Sequence, residues 1–87
     1  MKKIIDYRIV ELSWCKRRGY EKKELNVEAI MLNGFKKERF SLCDMIVILK
    51  SGEEIKLSGQ VIHNQIKDQW MINGIDSKGN QVAIEVD

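Results

Sequence analysis

Eighty-seven residues, 44% hydrophobic and 32% charged, bound this chain to one domain, 1–87, with room for a single modest core. A net charge of +2 is too small to imply nucleic-acid binding by itself, and no run approaches the ~20 apolar residues of a membrane helix. Two cysteines at unrelated spacing, Cys15 and Cys43, make neither a disulfide framework nor a metal-ligand set, so a reduced, cytoplasmic protein without cofactor or metal is expected. Charge is unevenly spread: residues 1–42 hold eleven Lys/Arg against six Asp/Glu, residues 43–87 four against seven. A fold inheriting that split has a basic and an acidic side. Proline is absent while Lys, Ile and Asn abound, a bias of AT-rich coding DNA that suggests a low-GC bacterium, a phage or a mobile element.

Residues 4–12 form the first expected strand. Ile5, Tyr7 and Ile9 share one face and Val10, Leu12 and Trp14 the other, which predicts a bulge near Ile9-Val10. The start, Met1-Lys2-Lys3-Ile4-Ile5, begins like a signal peptide, but Asp6 and Arg8 cut the apolar run short. Residues 15–23 read as a polar, basic connection. Residues 25–32 alternate as a strand would, although the good helix formers of 21–32 and the following Asn33-Gly34 keep open a helix there, and with it an α+β alternative. The apolar side chains of that segment make no stripe on a helical wheel, which favours the strand.

Beyond a polar link at 36–39, Ser41, Cys43, Met45, Val47 and Leu49 fall on one face of the next strand, and Ser51-Gly52 signals a hairpin. Ile55, Leu57 and Val61 keep one parity through Gly59, where a bend or bulge is expected. A turn at Lys67-Asp68 leads to residues 69–75, and Asp76-Ser77-Lys78-Gly79-Asn80 turns into the alternating Val82, Ile84 and Val86. The expected architecture is all-β: a strongly bent antiparallel sheet or small SH3-like barrel of six to seven short strands.

Two segments interleave cations with aromatic rings: Trp14, Lys16, Arg17, Arg18, Tyr20, Lys22 and Lys23 in one, and Lys36, Lys37 and Arg39 between Phe35 and Phe40 in the other. Cations bind phosphates and rings stack on unpaired bases, so these residues are the candidate nucleic-acid site. In a meander of the first strands the two segments fall at opposite ends of the sheet. His63 is the only histidine and lacks a nearby Cys, Asp or Glu pattern for a zinc site, so it reads as a core or surface residue. Asp76–Asn80 lacks the further acidic ligands of a calcium loop and reads as a turn. Ile46-Val47-Ile48-Leu49-Lys50-Ser51-Gly52 followed by Gly59 resembles the opening motif of Sm-like RNA-binding barrels. The gap from Gly52 to Gly59 is longer than in that family, and Ile62-His63-Asn64-Gln65 stands where the family has Asp and Asn, so membership does not follow.

With no acid–base or nucleophile constellation, the expected function is a non-enzymatic protein-interaction module, a small accessory or regulatory protein. The alternative is a nucleic-acid-binding barrel using residues 14–23 and 35–40. An exposed Trp70 within an apolar patch would favour the first, and convergence of both basic segments on one face the second.

Overall fold

The computed structural model describes residues 3–4, 7–16, 19–21 and 27–86. They form β1 (Lys3–Ile4), β2 (Tyr7–Lys16), β3 (Gly19–Glu21), β4 (Val27–Asn33), β5 (Leu42–Leu49), β6 (Glu54–Asn64), β7 (Gln69–Ile75) and β8 (Gln81–Val86). All pairings are antiparallel, in the order β1-β4-β5-β6-β7-β8-β2-β3. Six strands carry the sheet and two short ones, β1 and β3, flank it. No helix occurs among the described residues, and none is long and apolar enough to cross a membrane.

The sheet is strongly curled into a half-barrel. Ile4 pairs with Met31 on one side, and Tyr7, three residues on, pairs with Val86 on the other. Three residues span at most ~10 Å, so β4 on one side of the sheet and the β8–β2 pair on the other come close to one another at that end. The curl gathers one alternate set of side chains inside: Ile30, Leu32, Cys43, Met45, Val47, Leu49, Leu57, Val61, Ile72, Val82, Ile84 and Val86 are all buried in one cluster. Those runs are rich in β-branched residues at period two, which suits one buried face of a pleated sheet.

The bulge expected near Ile9-Val10 is present. The β2–β8 register shifts between Ile9 and Glu11, setting Ile9 opposite Ile84 and Leu12 opposite Val82. A second shift lies between Val27 and Ala29. Of the ambiguous segment, Val27–Asn33 is strand and not helix, paired with β5 along its length and burying Ile30 and Leu32 on one face; residues 22–26 lie outside the described ones.

Two expectations need correction. The stretch 15–23 is no plain connection: Trp14, Cys15 and Lys16 pair with Glu21, Tyr20 and Gly19 in a hairpin. Of the bend or bulge expected at Gly59, the bulge is absent, since the β5–β6 and β6–β7 registers run through it unbroken. The glycine is needed for close approach: a Cβ there would lie 2.6 Å from the carbonyl oxygen of Cys43.

Candidate functional site

The outward positions of β6, β7 and β8 form the most site-like surface. Gly59 pairs with Gly74, both are buried, and the outer side of their backbones makes the floor of a groove. Its walls are the outward Ser58, Gln60, Asn73, Gln81 and Ala83, with Leu42 and Ile75 at the rims, enclosing about 480 Å³. None of these side chains is charged. Leu42 is 78% exposed and Ile75 50%, although both are large and apolar.

Ile75 and Ser58 also line a second groove of about 570 Å³, whose other walls include Asn33, Asp44, Lys56 and Asp76. Ile75 is therefore a ridge between an uncharged groove and one with two carboxylates and one ammonium. The Asp76 carboxylate also organises its own turn, accepting from the backbone amides of Lys78 and Asn80 at 2.9 Å and from Asn80 Nδ2 at 2.7 Å. That geometry is a hairpin turn, in keeping with the sequence reading over a calcium loop.

Of the candidate nucleic-acid residues, Arg17, Arg18, Lys22 and Lys23 lie outside the described residues, and Trp14, Lys16 and Tyr20 are placed by register alone. Their hairpin projects past the Ser13–Gln81 pair, at the end of the sheet where β7 turns into β8. Lys36, Lys37 and Arg39 are exposed in the link between β4 and β5, and of these Arg39 stands beside the β6–β7 turn. The seven residues of β7 separate the two ends by roughly 20 Å. Among the described residues, the Trp14–Lys16 strand end and Arg39 lie toward opposite ends of β7.

The second of these ends has a defined polar cluster. His63 Nε2–H donates to Asp68 Oδ1 at 2.8 Å, and Arg39 Nη2 approaches His63 Nδ1 at 3.5 Å. Arg39 also donates to the side-chain oxygen of Gln65, from Nη1 at 2.8 Å and from Nη2. The His63 ring lies against Trp70 with centroids 4.5 Å apart at 39°. Trp70 is half-buried and packs on the core, so it is not the exposed aromatic that would mark a contact surface. Phe35 also packs on the core. Phe40, by contrast, is 69% exposed at φ +64°, a left-handed conformation uncommon for a non-glycine residue.

Sequence reasoning missed the groove. The outward parity of Leu42 and Ile75 was readable, but their common concavity depends on Gly59 pairing with Gly74, a non-local register. Among known proteins, no family model, curated protein or solved structure matches the chain.

Proposed function

We propose that the protein is a non-enzymatic interaction module whose outer face, centred on Leu42 and Ile75, binds a segment of another protein. The observation that carries this reading is the exposure of those two apolar side chains at the rim of one uncharged groove. Exposed apolar surface with polar surroundings is what a partner's anchor residue requires. The neighbouring groove holds Asp44 and Asp76 against a single Lys56, so the segment that fits best pairs an apolar side chain with an adjacent Lys or Arg. The same carboxylates oppose phosphate on this face.

A second reading, single-stranded nucleic acid, is favoured by one observation: the exposed ring of Phe40 beside Lys36, Lys37 and Arg39. It ranks lower because the described part of the other basic segment, Trp14–Lys16 and Gly19–Glu21, lies toward the opposite end of β7 from Arg39. The proposal extends to setting: an SH3-like barrel serving as a cytoplasmic accessory protein of a low-GC bacterium, phage or mobile element, supported by the curled meander and the residue bias.

Fluorescence anisotropy with short peptides tests the reading. Peptides with one Leu or Phe flanked by Arg should bind, the same peptides with Glu for Arg should not, and Leu42→Glu with Ile75→Glu should abolish binding. Replacing Lys36, Lys37 and Arg39 by Ala should leave it intact. Indifference to the Arg/Glu exchange, or salt-sensitive binding of single-stranded DNA or RNA lost in that triple variant, would overturn the ranking.

A further inference from the structure

Asparagine precedes glycine twice, at Asn33-Gly34 and at Asn73-Gly74. This pair allows a reaction that needs only water. The glycine backbone nitrogen attacks the asparagine side-chain carbonyl carbon; a new C–N bond forms, the bond to the side-chain nitrogen breaks, and ammonia leaves, taking up the backbone proton. Water then opens the five-membered imide at either carbonyl, giving aspartate or its isomer with the chain running through the side chain. Water enters, ammonia departs, and nothing is oxidised or reduced. Glycine favours the first step because no Cβ hinders the rotation that brings its nitrogen to the neighbouring side chain.

The fold treats the two pairs differently. Asn33 is the last residue of β4 and is exposed. Gly34 lies beyond the strand at φ +80°, and a Cβ added there would meet nothing within 4 Å, so the peptide link has room to turn. Asn73 is exposed too, but Gly74 sits inside β7, paired with Gly59 on one side and Val82 on the other. Its inner side faces Met45 Sδ, which a Cβ would meet at 3.2 Å, and Leu57 Cβ at 3.3 Å. Turning the Gly74 nitrogen means breaking the ladder in the middle of the sheet.

We infer that Asn33 is a site of spontaneous conversion to aspartate and isoaspartate in the folded protein, and that Asn73 is protected from the same reaction. The product has a structural consequence. Asn33 stands opposite Asp44 across β4 and β5, and like charges directly opposite one another weaken a strand pair. Cys43 is next in the chain to Asp44 and buried, so loosening this end of the β4–β5 pair uncovers its thiol. The conversion rests only on the two Asn-Gly pairs and not on what the outer face binds, although a carboxylate at Asn33 also adds to the negative wall of the second groove.

The test is incubation of the full chain at mildly alkaline pH, followed by proteolytic mass mapping of both sites and chromatographic separation of the isoaspartyl peptides. Asn33 should convert at least about tenfold faster than Asn73 in the native protein, and the two rates should converge in concentrated urea. Equal native rates, or a difference that persists in urea, would overturn the inference. Labelling of Cys43, followed by peptide mapping, should be faster in the aged protein and in Asn33→Asp than in fresh protein. Unchanged labelling in both would refute the consequence drawn for Cys43.

Discussion

Gly59 stands directly opposite Gly74 across β6 and β7, and the two differ in how much room they leave. A Cβ on Gly59 would meet the carbonyl oxygen of Cys43 at 2.6 Å and Ile72 Cγ2 at 3.0 Å; one on Gly74 would meet the flexible Met45 side chain and Leu57 Cβ. Gly59→Ala must displace backbone and should destabilise by about 1–3 kcal/mol, as overpacking generally does. Gly74→Ala should be near neutral, since methionine yields and alanine restricts the unfolded chain by ~0.4–1 kcal/mol. Urea unfolding decides this: a lowered midpoint at constant slope for Gly59→Ala alone is expected, and equal losses would show that the space around Gly59 is not what sets its cost.

Cys43 supplies a pH-dependent prediction. Burial pushes its thiol pKa up and the nearby Asp44 adds to this, while the Asn33 amide works the other way. Burial, with Glu28, likewise raises Tyr7. A raised folded-state pKa means the native protein holds its proton where the unfolded chain has released it. Stability contributed by the protonated thiol is therefore complete below the ordinary thiol pKa and declines as pH rises above it. Denaturation midpoints should be flat from neutral pH to the thiol range and fall beyond it. The fall should be shallower in Cys43→Ala, and an identical alkaline decline in that variant would assign the effect elsewhere, Tyr7 first.

How far the fold was legible follows from where the information is local. The alternation of Cys43, Met45, Val47 and Leu49, and of Val82, Ile84 and Val86, carries its own inside and outside, so both strands and their buried faces were readable. The bulge at Val10 was readable for the same reason: two apolar sets of opposite parity must change face. The β2–β3 hairpin was hidden because Trp14, Cys15 and Tyr20 are interrupted by a run of basic residues and show no alternation. The groove was hidden because its floor exists only once Gly59 meets Gly74. Arg39, named for its charge, turned out to belong to a cluster with His63, Gln65 and Asp68, set by the β6–β7 turn.

The outer rim separates folding from binding. Leu42→Ser and Ile75→Thr remove exposed apolar surface and touch little of the core, so each should change stability by no more than ~0.5 kcal/mol. Val47→Ala on the inner face, fully buried, should cost more, about 1–3 kcal/mol, the range for burying such a side chain. Losses at Leu42 and Ile75 comparable to that at Val47 would mean these two side chains serve the fold and would remove the main support for a partner-binding rim.

Phe40 carries the last prediction. Its amide donates to the Val61 carbonyl at 2.8 Å, and the Val61 amide donates to the Ser41 carbonyl at 2.9 Å. The Ser41 hydroxyl donates to the Glu38 carbonyl at 2.8 Å. These bonds hold the backbone at φ +64°, where an L-residue is strained by roughly 1–2 kcal/mol, and a side chain 69% exposed recovers little of that by burial. Phe40→Gly relieves the strain but adds ~0.5–1 kcal/mol of unfolded-state entropy, so a net gain of up to about 1 kcal/mol is expected. Phe40→Ala removes the ring and keeps the strain, so it should not gain. Thermal and urea unfolding of both variants distinguish the causes: equal stabilisation would mean that the exposed ring, and not the backbone, is the unfavourable element. A gain confined to glycine would show that phenylalanine is held here against the backbone's preference, and would direct the search for its role to what the exposed ring contacts.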